Sequence, residues 1–437
     1  MSTVPAGTAG VDARRFRSAL GEHVLIVPFS QIYDLPRRAA AEWDADPART
    51  ARTIATLEPP ADGDVALGEV PEPPPQSISL NVSSSCNLSC SYCYASRGNF
   101  GGRQSDPMNA DTARAAVDRL LDGGDPTAPF TVGFLGGEPF VNRRLIREVV
   151  EYSAGRAANR GLDLRFSVTT NGTLLESEDI ELMRSHPFAV TVSVDGDQAV
   201  HDRQRPESRR GHASWAETVR RVMPLLDSPG RAKVAARGTV TRAAIDPARL
   251  FRALVEIGFR DIGLAPLRKA PVGAFEDRDW PVYLDALTRL ASEQIAGARR
   301  GDPIRLTNLA VALKQLHRGA ASPYPCGAGG GYFSVAADGT WYACHRAIGE
   351  PAYALGNNAG LDAERRLAFL RDRHVHSQTD CTSCWARYLC SGGCHQEKSA
   401  RSTASCDFIR GWLDFCLSAY AELGPATMFN AVPQVHS

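Results

Sequence analysis

Three cysteines within eight residues constrain this chain more than any other feature of its sequence. Cys86, Cys90 and Cys93 form a CxxxCxxC run directly after a β-rich stretch at residues 77–83. Three thiolates on one tight loop can hold three irons of a cubane cluster, which leaves the fourth iron without a protein ligand. A cluster closed by the protein uses four cysteines. The run therefore predicts a cluster with one iron open to chemistry.

Zinc binding and chance are the alternatives for these three cysteines. Structural zinc sites usually pair a CxxC with a second CxxC or with histidines, and no such partner lies near Cys93. The 11 cysteines of the chain fall at 86–93 and 326–416, with none between. Because the N-terminus lacks a charged and then apolar signal sequence, we expect clustered cysteines to be metal ligands rather than disulfides.

The composition is that of a globular protein of two or three domains. The 437 residues are 43% hydrophobic and 22% charged, with a formal net charge of +0. Nothing electrostatic indicates nucleic acid or a membrane surface, and no apolar run approaches the roughly 20 residues of a membrane span. We therefore expect a cytoplasmic protein without nucleic-acid or membrane partners.

Strands and helices alternate between residues 77 and 266. The predicted strands are 77–83, 130–135, 163–169, 188–194, 233–240 and 260–265. The predicted helices are 109–122, 143–158, 177–185, 214–226 and 247–257, with N-caps at Asn109 and Ser177. This alternation favours an α/β fold, a partial (β/α)6 barrel of TIM type. The cysteine loop follows the first strand, and strand C-termini carry the chemistry of such barrels.

The cysteine run and the later strand ends together resemble the radical S-adenosylmethionine (radical SAM) superfamily. Tyr92 precedes the last cysteine of the run, the second strand leads into a GGEP sequence, and the third strand ends in TNG. The fourth strand ends in SVDG, followed by His201-Asp202 and Arg205, as in peptide-maturing members. The candidate cofactor-binding residues of these motifs are Tyr92, Gly136, Gly137, Glu138, Pro139, Asn171, Ser193 and Asp195.

The resemblance implies how S-adenosylmethionine (SAM) is bound and used. The open iron would chelate the methionine moiety, and one electron would cleave SAM to a 5′-deoxyadenosyl radical. Glu138 would bind the ammonium group, and Ser193, or less directly Asp195, a ribose hydroxyl. Arg237 is a candidate partner for the carboxylate, and Leu264 for adenine. The alternatives are a surface arginine and a core leucine, and no catalytic base is identified.

Eight further cysteines lie between residues 326 and 416. Two zinc sites would use the same thiolates, so spacing alone decides little. Joined to a radical SAM domain, the pattern resembles a SPASM extension with two auxiliary 4Fe–4S clusters, which gives three clusters in all. The resemblance assigns one cluster to Cys381, Cys384, Cys390 and Cys406, and the other to Cys326, Cys344 and Cys394. The cluster of Cys326, Cys344 and Cys394 lacks a fourth cysteine, and this position could be open to a substrate thiolate. Alternatively, Cys416 is the fourth ligand, or it is only a buried thiol in a helix at 408–423.

The resemblance also suggests an arrangement of consecutive segments. Residues 76–270 would be the barrel, 271–320 a helical bridge with helices at 279–299 and 307–318, 321–420 the SPASM domain, and 421–437 a tail. Residues 1–75 would be an N-terminal extension that ends in a proline-rich linker. Its predicted strands (24–29, 31–35) and helices (36–43, 48–57) are weakly similar to winged-helix modules that hold leader peptides; simple packing on the main domain is the alternative.

The sequence around the second cysteine group is most similar to maturases that crosslink ribosomal peptides. This similarity implies hydrogen abstraction from a precursor peptide and formation of a thioether or carbon–carbon crosslink. An external donor such as flavodoxin or ferredoxin would supply electrons. Formylglycine formation, as in sulfatase maturases, is the alternative reaction. A zinc-binding scaffold without catalysis is the alternative of another class.

Overall fold

The computed structural model describes residues 3–4, 12–57, 72–100, 107–208, 211–270, 272–319 and 321–431. Contacts divide the chain into two compact units. The barrel unit comprises residues 71–275 and 327–370, and the terminal unit comprises 1–70, 276–326 and 371–437. Each unit joins separate stretches of sequence, and the predicted division into consecutive domains stays a prediction. Residues 70 and 71 of the predicted linker and 432–437 of the predicted tail lie outside the described ranges.

The secondary structure of the described residues comprises both strands and helices. The strands are β1 (Thr3–Val4), β2 (Ala13–Ser18), β3 (Gly21–Ile26), β4 (Gln31–Asp34), β5 (Ser77–Ser83), β6 (Phe130–Gly136), β7 (Leu164–Thr170), β8 (Phe188–Ser193), β9 (Lys233–Val240), β10 (Asp261–Pro266), β11 (Tyr332–Val335), β12 (Thr340–Tyr342), β13 (Ala354–Asn357) and β14 (Gly360–Leu361). The α-helices are α1 (Arg37–Ala45), α2 (Pro47–Leu57), α3 (Ala110–Gly123), α4 (Arg143–Ala158), α5 (Ser177–Ser185), α6 (Gln198–Gln204), α7 (Trp215–Asp227), α8 (Pro247–Ile257), α9 (Asp279–Arg299), α10 (Thr307–Arg318), α11 (Ala363–Arg373), α12 (Arg387–Cys390) and α13 (Thr403–Ala431).

A ten-stranded sheet organises the barrel unit. Its order is β10-β9-β8-β7-β6-β5-β11-β12-β13-β14. The first six of these strands pair in parallel with their neighbours, and each connection between them contains a helix. This confirms the predicted α/β class and the six βα units of a partial barrel. Because these six strands are parallel, the C-terminal ends of β5–β10 all lie at one edge of the sheet.

The helix starts in the barrel unit are set by local capping. Asn109 caps α3 as predicted, since its side chain accepts from the backbone N–H of Thr112 over 2.8 Å. The predicted cap at Ser177 is wrong. Glu176 is the N-cap of α5, and it forms a reciprocal capping box with Asp179 at the third helical position. The usual preference for serine at this position was overridden because the two-way bond satisfies more backbone donors.

The two faces of the parallel strands differ in polarity. One face stacks Phe134, Phe166 and Phe188, with ring centroids 5.2–6.4 Å apart. On the other face Ser79, Gly133 and Ser167 share one register across β5, β6 and β7. Large branched side chains fill the interior of a complete TIM barrel. Here small polar residues line part of the inner face instead, which suits an interior that receives a ligand.

A C-terminal hairpin extends the parallel sheet. β11 and β12 pair antiparallel on either side of a turn that contains Asp338 and Gly339. β11 also pairs in parallel with β5, where Tyr332 lies opposite Ser77. The Tyr332 hydroxyl donates to Ser79 Oγ over 3.0 Å. Strands β11 and β12, which follow the predicted helical bridge in sequence, thus belong to the same sheet as β5, the strand that precedes the cysteine loop.

The terminal unit begins with a four-stranded antiparallel sheet, β1-β2-β3-β4. The predicted strand at 24–29 is wrong in its limits: β3 ends at Ile26, and residues 27–29 form a 3₁₀ turn. Strand β2 was not predicted because its sequence, ARRFRS, reads as charged. Its charges are matched in the fold, since Arg14 pairs with Asp414 at 2.6 Å and lies 4.2 Å from the Trp385 ring.

Helices complete the terminal unit. Helices α9 and α10 have the predicted limits, and α13 begins before the predicted 408–423 helix and ends after it, with a break at Gly424. Trp43 of α1 packs, almost fully buried, against the small N-terminal sheet. None of the helices in the described ranges combines the length and apolarity that crossing a bilayer requires. A leader-binding role for the N-terminal strands and helices stays a prediction.

Candidate active site

The predicted cysteine loop brings its three thiols together at the C-terminal end of β5. Burial, together with the nearby Glu138, Cys90 and Cys93, raises the pKa of Cys86 to about 12. Burial also raises the pKa of Cys90. All three are free thiols of intermediate exposure. Because the protonated form is favoured, deprotonation here requires a positive partner such as a metal.

Hydrogen-bond donors surround these sulfurs. The backbone N–H of Leu88 donates to Cys86 over 3.4 Å, and that of Arg97 donates to Cys93 over 3.3 Å. Longer contacts of 3.8 Å come from Asn171 Nδ2 to Cys86 and from Arg205 Nη1 to Cys90. Donors of this kind stabilise thiolate charge. The loop therefore fits a cluster held by three thiolates.

The described residues contain no group of three or more His, Cys, Asp or Glu arranged around a single metal ion. A cubane cluster asks for a different geometry, because each cysteine binds a different iron and the sulfurs do not meet at one point.

The GGEP turn is anchored to the start of the cysteine loop. The N–H groups of Gly137 and Glu138 donate to the carbonyls of Ser83 and Ser85, each over 2.9 Å. A Cβ on Gly136 would collide with the Ser83 carbonyl, and one on Gly137 with the Ser85 carbonyl. These glycines thus permit a close approach between two backbone segments.

Glu138 is buried beneath this turn. Its Oε1 accepts from Thr170 Oγ1 over 2.7 Å and from the N–H of Phe140 over 3.2 Å, and its Oε2 accepts from the N–H of Asn171 over 2.7 Å. Burial raises its pKa to about 7, although these donors lower it. Pro139 follows as the first residue of a 3₁₀ turn that Glu138 caps. The carboxylate thus joins the ends of β6 and β7.

Asn171 fixes the cysteine loop from the end of β7. Its Nδ2 donates to Asn87 Oδ1 over 3.0 Å, and its Oδ1 accepts from Thr173 N–H over 2.9 Å. Asn87 donates back to Thr173 Oγ1 over 2.8 Å. The sequence had not singled out Asn87 or Thr173. Their signal was their position, since Asn87 follows the first cysteine and Thr173 follows TNG.

Asp195 is fully buried and surrounded by protein donors. Its carboxylate accepts from Tyr92 Oη, from Gln204 Nε2 over 3.2 Å, from Arg205 Nε over 2.9 Å and from the N–H of Thr239 over 2.8 Å. This environment favours a positioning role over contact with a ribose. It also ties Tyr92, between two cluster cysteines, to the end of β8.

The HD..R residues after SVDG organise the chain around α6. Asp202 Oδ1 accepts from the N–H groups of Ser214 and Trp215, where α7 begins. His201 is buried, which lowers its pKa to about 4. Its Nδ1 accepts from the N–H of Asp195 over 3.3 Å, so the Nε2 proton faces Ser214 Oγ at 3.1 Å.

The remaining cofactor candidates differ in exposure. Ser193, the last residue of β8, is half-buried and lies in register with exposed Arg237 within β9. Leu264 is 1% exposed and lies beside Leu254 of α8, where a Cβ on Gly238 would touch both side chains. That is the environment of a core residue. Contact of these residues with SAM stays a prediction.

Aromatic residues connect the cysteine loop with the C-terminal hairpin inside the barrel unit. The Tyr94 ring, next to Cys93, lies 5.9 Å from the His345 ring, next to Cys344. Tyr332 Oη lies 3.0 Å from His345 Nδ1. Burial lowers the pKa of His345 to about 4. The peptide segments that carry Cys93 and Cys344 are therefore neighbours.

A second set of thiols converges in the terminal unit. Burial, together with the neighbouring Cys381, Cys384 and Cys406, raises the pKa of Cys390 to about 11. These are the four cysteines that the resemblance grouped together.

The other three predicted cluster ligands do not all belong to one unit. Cys326 and Cys394 belong to the terminal unit and Cys344 to the barrel unit; their grouping stays a prediction. Cys416 is fully buried in α13, and burial is what raises its pKa. That is the environment expected of a buried helical thiol.

Comparisons with known proteins agree with this geometry. Residues 80–224 match the Radical SAM superfamily model. A serine-type anaerobic sulfatase-maturating enzyme of Klebsiella aerogenes is 24% identical over 333 residues, which cover 72% of this chain and 78% of that enzyme.

Solved structures share the fold. The structure of anSMEcpe with bound AdoMet, which is SAM, has a TM-score of 0.68 at 18% identity and covers 82% of this chain and 98% of that one. Streptococcus suis SuiB bound to the precursor peptide SuiA has a TM-score of 0.50 at 12% identity, with 92% and 98% covered. Residues 80–224 hold the cysteine loop and the GGEP, TNG and SVDG strand ends. Residues 80–224 therefore form a radical SAM domain, the catalytic domain of an enzyme family that uses SAM and a 4Fe–4S cluster.

Proposed function

We propose that this enzyme is a SPASM-type maturase that crosslinks a ribosomally made precursor peptide. The observation that carries the proposal is the presence of two separate thiol sets, the open loop of Cys86, Cys90 and Cys93 and the set of four around Cys390. An open set suits radical initiation, and a set of four suits electron transfer. The relatives support a polypeptide substrate, since one matures a sulfatase and a structural neighbour binds a precursor peptide.

The chain's own residues would divide the work of the reaction. When bound, SAM and the open cluster supply the radical that abstracts a hydrogen atom. Glu138 and Asn171 hold the cysteine loop against the sheet. Arg237 would bind the cofactor carboxylate, and Ser193, in register with it on the neighbouring strand, would bind a ribose hydroxyl.

Closing a thioether or carbon–carbon bond leaves one proton and one electron to be removed from the substrate. Cys381, Cys384, Cys390 and Cys406 would hold a cluster that supplies this redox chemistry. Cys326, Cys344 and Cys394 would hold a second auxiliary cluster, which brings the total to three. An external flavodoxin or ferredoxin would supply the starting electron, and residues 1–75 would contribute leader binding.

Formylglycine formation is the second candidate reaction. The sequence relative from Klebsiella aerogenes is a serine-type sulfatase-maturating enzyme, and the match extends over 333 residues. This reaction also removes two hydrogens from its substrate when the target is serine. The two reactions differ in their product, because one leaves an aldehyde and the other a new bond between residues.

The test is anaerobic turnover with candidate precursor peptides, taken from any short reading frames that flank this gene. Loss of two hydrogens, with the modified residues linked in tandem mass spectra and no capture by a hydrazide, is the expected result. A product that a hydrazide captures would replace the crosslinking proposal with formylglycine formation. A preparation that contains zinc and lacks iron and visible absorption would reject both reactions.

A further inference from the structure

Arg205 links the SVDG strand end to the cysteine loop. Its Nε donates to Asp195 Oδ2 over 2.9 Å, and its Nη1 lies 3.8 Å from Cys90 Sγ. The guanidinium carbon lies 5.3 Å from the centre of the Tyr92 ring. Arg205 is 8% exposed, so solvent screens its charge little. A buried cation therefore lies against one sulfur of the open loop.

The surrounding network holds this guanidinium in one place. Asp195 is itself fixed by Tyr92 and by the N–H of Thr239. The backbone of Arg205 is held as well, because its N–H donates to the His201 carbonyl over 2.8 Å and its carbonyl accepts from Ser214 Oγ. Because both ends of this long side chain are already fixed, Arg205 loses little further conformational entropy when it keeps its contact with Cys90.

We propose that Arg205 is a positioning residue that raises the reduction potential of the radical cluster. Reduction adds one negative charge to the cluster, and an adjacent cation and an N–H donor to a ligand sulfur both favour the reduced form. Asp195 then holds the arginine toward Cys90. This inference rests on the proposed assignment of the open cluster to Cys86, Cys90 and Cys93.

A comparable arrangement exists within the terminal unit. Arg401 Nη1 lies 3.6 Å from Cys381 Sγ, and its Nη2 donates to Gln378 Oε1 over 2.9 Å. Arg410 donates to Cys384. Arg401 thus offers a matched control, since the same kind of contact serves a different set of cysteines.

The experiment is an EPR-monitored redox titration of the anaerobically reconstituted full chain without SAM. Arg205→Gln is expected to lower the ratio of reduced to oxidised radical cluster at least tenfold at a fixed potential, which corresponds to a midpoint shift of about 59 mV for a one-electron couple. Arg205→Lys, which keeps the charge, should shift the potential less. Arg401→Gln should shift the midpoint potential of the auxiliary cluster that includes Cys381. It should leave the midpoint potential of the radical cluster unchanged.

Three results would overturn the inference. The first is an unchanged radical-cluster potential in Arg205→Gln with the cluster intact. The second is weaker SAM binding at that unchanged potential, which would assign Arg205 to the cofactor carboxylate. The third is loss of the radical cluster in Arg205→Gln, Arg205→Lys and the double variant Asp195→Asn/Arg205→Gln alike, which would make the role structural. Failure of the underlying assignment is distinguishable, because Cys90→Ala would then keep the SAM-cleaving cluster.

Discussion

The backbone N–H of Asn171 donates to Glu138 Oε2 over 2.7 Å, so the ends of two parallel strands share one buried carboxylate. Asn171 in turn contacts Asn87 of the cysteine loop. Glu138 therefore has a structural role besides any contact with SAM. Changes at this carboxylate are expected to alter both the stability of the site and cofactor affinity.

Glu138→Ala is expected to weaken SAM binding roughly ten- to a hundredfold. A charge-assisted hydrogen bond is worth about 1.5–3 kcal/mol, and about 1.4 kcal/mol corresponds to a tenfold change. The variant also leaves the donors of Thr170 and Asn171 without their acceptor, so lower thermal stability should accompany it. Calorimetric titration with intact clusters measures the affinity. Thr170→Val is the control: it removes one donor, keeps the carboxylate and should bind SAM nearly as the wild type does. Unchanged affinity in Glu138→Ala rejects the role.

SAM affinity should rise with pH through about 7. Burial raises the pKa of Glu138 to about 7. The folded protein therefore retains a proton that the unfolded chain releases near pH 4.5, and the stability that Glu138 contributes is full below pH 4.5 and lost as the pH rises through about 7. The carboxylate that forms in this range is the species that attracts an ammonium group. Dissociation constants measured across this range should fall with pH in the wild type and less steeply in Glu138→Gln. Parallel slopes in the two proteins would contradict the assignment.

Substitutions in one thiol set should remove the cluster of that set and leave the cluster of the other set in place. Cys86→Ala, Cys90→Ala or Cys93→Ala is expected to abolish reductive cleavage of SAM while the auxiliary clusters remain, because each removes one ligand of the open cluster. Cys384→Ala should instead remove an auxiliary cluster and leave SAM cleavage measurable. Iron analysis should give about twelve irons per wild-type chain from three cubanes. Loss of all iron from a single substitution in either set would count against separate clusters.

Cys416 and Cys394 should behave differently. Cys416 is fully buried in α13, so Cys416→Ser should keep the iron content and turnover and lose only about 1–3 kcal/mol of stability from burying a hydroxyl. Cys394→Ala should lose a cluster and all crosslinking. Iron content and product yield, measured side by side, decide the point. Loss of iron in Cys416→Ser would make this thiol the fourth ligand and close the position proposed for a substrate sulfur.

Asp12 should stabilise the set of four thiols around Cys390, which belongs to the same unit. Asp12 pairs with Arg387, and both are almost fully buried. Arg387 lies between Cys384 and Cys390 in sequence and also donates to the Cys384 carbonyl over 3.1 Å. Removing one partner of a buried pair typically costs about 3–5 kcal/mol. Asp12→Ala should therefore lower the stability of the terminal unit and speed iron release to a chelator.

Asp44→Ala is the matched control, because it removes an exposed partner of Arg15. Exposed pairs contribute about 0–1 kcal/mol. Equal effects of the two substitutions on unfolding and on iron release would show that the Asp12–Arg387 pair does not support this cysteine set.

Local sequence patterns determined the main elements of the barrel and of the thiol loops. Alternating apolar strands and amphipathic helices set the limits of β5, α5 and α8, which match the predicted ranges. The CxxxCxxC run places its three thiols together because eight residues cannot carry them far apart. These features depend on neighbours in sequence, and a short-range pattern contains that information.

Tertiary structure decided which side chains meet. The pairing of β11 with β5 joins residues more than 250 positions apart (Tyr332 and Ser77), and no local pattern specifies such a register. Arg14 of β2 gains an acidic partner, Asp414, from α13 and an aromatic partner, Trp385, which allows a charged segment to form a strand. Asp195 looked like a possible ribose ligand from its motif, yet the fold surrounds it with donors and directs Arg205 to Cys90. Sequence specifies which groups are available, whereas burial and the geometry of distant partners decide what each group contacts.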